Sequence, residues 1–182
     1  MTKFLRTATA GVALFAAVGM GTVANAQVTE TADARAEVLA ALQLTNDDDL
    51  NFGAIIVNNG STGGDVTVDA TGVRTCSGDV ICGPGAAEHE ALFTVSGAAN
   101  TSVAILLEDV ATNGVTLRHT ANAGSAAANH NIELVNLTDS AAGGYASFSG
   151  SEQFGVGGRI VLDGSEIAGE YVGQFDVTVE YQ

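Results

Sequence analysis

Tryptophan is missing from this chain of 182 residues, tyrosine occurs three times, and lysine occurs once, at Lys3. Each shortage removes a class of function. No tryptophan and few tyrosines leave little material for a sugar-binding catalytic cleft. No run after residue 26 approaches the ~20 apolar residues of a membrane helix, so no transmembrane segment is expected once a leader is cleaved. Beyond residue 26 the only Lys or Arg cations are Arg35, Arg74, Arg118 and Arg159, against 21 acidic residues, a formal charge of −17. A nucleic-acid partner would require a basic face, and an anionic membrane would repel such a chain. The acidic excess suits solubility outside the cell.

Catalytic motifs are missing too. No G-x-S-x-G, phosphate loop or H-E-x-x-H occurs. His89 lies in "EHE" between Glu88 and Glu90, and strand neighbours point to opposite faces, so the three cannot converge on one ion. His119 and His130 have no partner at metal or triad spacing. Asp47, Asp48 and Asp49 lack the alternate spacing and glycine of a calcium loop and read as a solvated turn before a strand. "FGVGG" (Phe154 to Gly158) lacks the dinucleotide-binding spacing and reads as a turn or bulge. No catalytic residue, metal or cofactor is therefore expected, and the chain does not read as an enzyme.

The opening residues have the form of a secretory signal peptide: Lys3 and Arg6, an apolar stretch from Gly11 to Met20, and the small-x-small site Ala24-Asn25-Ala26. Cleavage after residue 26 leaves 156 residues, enough for one domain with a core. Export through the periplasm towards the cell surface is expected. An oxidising compartment would pair Cys76 with Cys82 in "CSGDVIC".

The remainder reads as strands and turns. Alternating or β-branched runs fall at 50–57, 65–69, 73–76, 91–96, 102–107, 115–119, 132–137, 145–148, 159–162 and 171–181. Turn segments such as "NNGSTGG", "TNG" and "AAGG" separate them. The pattern predicts an all-β sandwich. The segment Thr31 to Leu44 is ambiguous. Its alanine, glutamate, arginine and leucine favour a helix, whereas Ala32, Ala34, Ala36, Val38, Ala40, Leu42 and Leu44 also share one face of a strand.

Three stretches carry a resemblance: "LNFGAI" from Leu50, "LFTVSG" from Leu92 and the closing "GEYVGQFDVTVEYQ" from Gly169. Together with the alternating segment they resemble a family of secreted bacterial β-domains of unknown function, over roughly residues 31–182. That family is similar in layout to spore-coat-U-like proteins and archaic chaperone–usher pilins. The resemblance implies an immunoglobulin-like, pilin-like sandwich (45–182) behind an N-terminal extension (27–44), with the extension extended rather than helical. In pilins the sandwich lacks one strand, and the next subunit's extension fills the groove. Carried over, the donor strand would present Val28, Ala32, Ala34, Ala36 and Val38. The groove-edge strand would present Tyr171, Phe175, Val177, Val179 and Tyr181. This departs from the pilin pattern because most plugs are alanine. Each buries little area at ~25 cal/mol per Å², so main-chain hydrogen bonds would dominate. The implied role is a non-catalytic subunit of a surface filament or coat. Its partners would be further copies of itself, a periplasmic chaperone and an outer-membrane usher. The alternative is a self-complete secreted sandwich serving as an envelope or adhesive binding module.

Overall fold

The computed structural model describes residues 27–58, 60–85 and 87–182, so the leader expected over 1–26 lies outside the described residues. The chain divides into two units, 1–37 and 38–182. In the first, residues 27–37 carry no helix or strand and their side chains are exposed. The second holds the strands: β1 (Gln43–Asp48), β2 (Ile55–Val57), β3 (Gly64–Val68), β4 (Arg74–Cys76), β5 (Val80–Cys82), β6 (Ala91–Ser96), β7 (Thr101–Leu107), β8 (Thr116–His119), β9 (Asn131–Asp139), β10 (Gly144–Phe148), β11 (Ser151–Leu162), β12 (Tyr171–Val172) and β13 (Val177–Tyr181). One short helix, α1 (Val110–Asn113), follows β7.

The strands build an all-β, sandwich-like arrangement of antiparallel sheets. The largest runs β1-β6-β11-β9-β8-β12, with β3 also on β11 and β4 on β3. A three-stranded sheet runs β10-β7-β13, and β2 and β5 form a separate ribbon. Two apolar clusters fill the interior. One gathers Phe52, Val66, Val68, Ile132, Leu134 and Ile160, with Val80 contributed by the ribbon and Val110 by α1. The other gathers Phe93, Val95, Val103, Ile105, Phe148, Phe154 and Val156 between β6, β11 and the three-stranded sheet. Phe93 and Phe154 stack there with ring centroids 5.7 Å apart.

The strand β11 corrects the reading of "FGVGG" as a turn. Phe154 to Gly158 lie buried in the middle of the longest strand. The first half of β11 pairs with β6 and the second with β3, while β9 runs alongside. Where β3 ends, its chain crosses close over β11. A Cβ on Gly157 would stand 2.3 Å from the Asp69 carbonyl carbon and 2.4 Å from Val68 O. These glycines are there for close backbone approach, not for a turn. The register irregularity in this strand lies just beyond, between Arg159 and Ile160.

The "LNFG" stretch is shaped by Arg74. Its guanidinium is nearly buried and donates to Phe52 O, Ala54 O and Gly83 O, each at 3.0 Å, with Glu88 at 3.5 Å. Gly53 has φ +71°, and a Cβ there would meet Arg74 Nη1 at 2.4 Å. Asn51 Oδ1 accepts from the Gly53 amide, and Asn51 bridges His89, so the expected strand 50–57 shortens to Ile55–Val57. The disulfide Cys76–Cys82 joins the ends of β4 and β5. Its short loop contributes about 2 kcal/mol by loop-closure entropy. The segment Val80–Cys82, read only as part of a cystine loop, is a strand.

Two predictions follow from these contacts. Gly157→Ala should destabilise the protein by about 1–3 kcal/mol or more in urea unfolding, because backbone rather than a flexible side chain stands in the way. The second concerns the β3–β4 turn. Asp69 Oδ1 accepts from the Val73 amide, the Thr71 amide and the Thr71 hydroxyl. Those bonds, the Val73 amide first, hold its carboxyl below the ordinary value. A carboxyl depressed by folding stabilises above its unfolded pKa of ~3.9, and that contribution is lost as pH falls through the lower folded value. The stability gap between wild type and Asp69→Asn should therefore be full above about pH 4 and shrink below it.

Candidate functional site: an edge strand with one free side

The closing stretch predicted as one strand, 171–181, is two strands in two sheets. β12 pairs with β8 in the large sheet, and β13 pairs with β7 in the three-stranded one. The chain changes sheets across 173–176, and Phe175 sits at the crossing, packed against both apolar clusters. Continued alternation hid the break.

Tyr171 therefore does not belong with the other expected groove-edge residues. Its ring meets His119 edge-on at 5.2 Å, and its hydroxyl proton is shared between Asn129 O (2.9 Å) and Ile167 O (2.8 Å). Burial raises the Tyr171 phenol, with Glu166 adding to the shift. Beneath it His119 is buried, with Asn122 Nδ2 donating to Nδ1 and Nε2 lying 3.3 Å from Ala168 O. His130 comes within 6.0 Å of His119, a proximity that spacing along the chain did not reveal.

Val177, Val179 and Tyr181 do lie together on β13, and each is only half-buried despite facing the second cluster. Their backbone direction follows from the register. Glu108 N donates to Asp176 O, and Gln182 N donates to Ser102 O. In an antiparallel pair the bonded residues alternate, so Thr178 and Glu180 turn their amides and carbonyls towards β7. Those of Val177, Val179 and Tyr181 point the other way. Among the described residues these outward groups have no protein partner, and β13 ends its sheet.

The facing border is β1, the edge of the large sheet. Leu42 and Leu44, also half-buried, pack on the same cluster as Val177, Val179 and Tyr181. Tyr181 ties the two borders at one end. Its hydroxyl accepts from Ala98 N at 2.6 Å and donates to Ala40 O at 2.8 Å. The result is a seam with apolar sides, bordered by two sheet edges, β13 and β1.

Asp47 and Asp48, expected in a turn, close β1. Asn46 pairs with Phe93 and Asp48 with Leu92, which makes Asp47 the extra residue of a bulge. Its carboxylate accepts from Thr94 and Gln153, and these bonds, Thr94 first, hold its pKa down.

The donor residues Val28, Ala32, Ala34, Ala36 and Val38 are exposed, in a stretch with neither of the elements considered for 31–44 before Gln43. A strand needs a neighbour to receive its backbone bonds, and a helix this short is marginal alone.

A recess of about 510 Å³ on the large sheet is lined by Thr116, Arg118, Asn131, Glu133, Asp163 and Glu166, among others. Glu166 already accepts the amides of Asp163 and Gly164. Among the described residues, no group of three or more His, Cys, Asp or Glu is placed to hold a metal ion.

The class is thus an antiparallel β-domain whose final strand has one open side. The chain belongs to the DUF4402 family, a domain of unknown function, whose family model matches residues 42–181. No curated protein and no solved structure matches it.

Amide hydrogen exchange on the monomer tests the open edge. Val177, Val179 and Tyr181 should exchange rapidly, while Thr178 and Glu180 are protected. Uniform protection along β13 would mean that its outer side is covered.

Proposed function

We propose that this chain is a non-catalytic structural subunit of an extracellular filament or coat, exported from the cell and joined to its neighbours by β-strand addition. The observation that carries this reading is the free side of β13, where three successive outward backbone positions are unpaired above a half-covered apolar face. An added strand supplies the missing hydrogen bonds and closes the seam over Val177, Val179 and Tyr181. The donor is the extension of the next copy, with Ala32, Ala34, Ala36 and Val38 turned inward. Small plugs suit a seam that is half-filled already by its own leucines and valines. In this reading the layout is that of an immunoglobulin-like sandwich short of one strand. A periplasmic chaperone would cover the edge before an outer-membrane usher passes the subunit on.

Removing residues 27–37 tests it and spares the bond from Tyr181 to Ala40. Cell-surface material from the complete chain should give an SDS-resistant ladder on unboiled gels, and the deletion should give only folded monomer. A deletion variant that still forms the ladder would rule out this donor. One that unfolds as a monomer would favour a self-complete sandwich.

A further inference from the structure

We infer that Arg35 of one copy sets the register of the added strand by pairing with one of two carboxylates of the next, Asp176 just before β13 or Glu180 on it, and that the carboxylate chosen reveals the strand's direction. This rests on the strand-addition reading. Exposed Asp176, just before β13, and Thr178 and Glu180 on its solvent face run in the order negative, neutral, negative. The extension carries Asp33, Arg35 and Glu37 on alternate positions, in the order negative, positive, negative. Arg35 Nη2 lies 3.6 Å from Asp33 Oδ2, as two side chains on one side of an extended chain would.

Registers differ by steps of two, because a slip of one would turn the alanine face outward. With Arg35 opposite Thr178, Asp33 and Glu37 of the extension fall opposite Asp176 and Glu180, in either strand direction. A shift of four from that register removes Arg35 from the acids and leaves Asp33 or Glu37 opposite one of them. Only a shift of two pairs Arg35 with Asp176 or Glu180 and leaves no like charges opposed. Directly opposed charges on one sheet face are the pairs that count.

Glu30 then separates the two survivors. It shares the inward face with the alanines, and an unpaired carboxylate is costly to bury. In an antiparallel addition, Arg35 opposite Glu180 places Ala34, Ala36 and Val38 against Tyr181, Val179 and Val177, with Glu30 beyond the limit of strand β13. Arg35 opposite Asp176 would instead set Glu30 against Tyr181. In a parallel addition the preference reverses. Arg35 opposite Asp176 keeps Glu30 clear, whereas Arg35 opposite Glu180 sets it against Phe175. A Glu180 partner therefore means an antiparallel donor, and an Asp176 partner means a parallel one.

The test is the association constant of the complete exported chain, measured by sedimentation at low and high salt. R35E should weaken association roughly tenfold at low salt and less at high salt. Arg35, Asp176 and Glu180 are exposed, so thermal melts of the variant monomers should match wild type. The double variant R35E/E180R should recover to within about threefold of wild type if the donor runs antiparallel, and R35E/D176R if it runs parallel. Recovery in neither, with the wild type assembling, would overturn the register inference and leave strand addition standing. A wild type that stays monomeric at every concentration would overturn both.

Discussion

A β-strand has hydrogen-bonding groups on both sides, and β13 satisfies only one. Main-chain amides and carbonyls must find partners in protein or water. Here the unpaired side borders a half-exposed apolar face, so the water that solvates the backbone of Val177, Val179 and Tyr181 lies beside valines and leucines. Free edges invite indiscriminate pairing. This one is guarded by acids, Asp176 just before β13, Glu180 on it, and Asp47 and Asp48 on the facing strand. The overall negative charge adds long-range repulsion between copies. A segment able to pair must therefore answer that charge pattern as well as supply a backbone.

Much of the fold was legible because its strands are covered on one face and wet on the other. Ala91–Ser96 alternates cleanly, and its limits were read without error. The central strand was not legible for the opposite reason. β11 is buried on both faces, so alternation vanishes, and its glycines answer to the crossing of Asp69 and Ala70, a contact between residues some 90 positions apart. The division of the closing stretch into β12 and β13 was equally hidden. Gly173 and Phe175 keep the period of two while the chain passes between sheets, and only the packing of Phe175 on both clusters requires the change.

The candidate site was readable in part. Val177, Val179 and Tyr181 share a face, as their spacing implied, and Tyr171 belongs elsewhere because its partners are His119 and two loop carbonyls. The clamp from Tyr181 to Ala98 and Ala40 left no local signature, since both targets are backbone atoms. The extension showed its alternation in sequence, but alternation describes what a strand would bury and says nothing about the neighbour it requires.

Leu50, Leu137 and Phe175 each touch both apolar clusters. The two halves of the interior therefore share side chains, a coupling that favours melting as one unit. The seam lies over one cluster, yet Phe175 carries any loosening there across to the other. Closing the seam would thus brace the whole sandwich, so a subunit in a chain of copies would withstand heat and denaturant better than the same subunit alone.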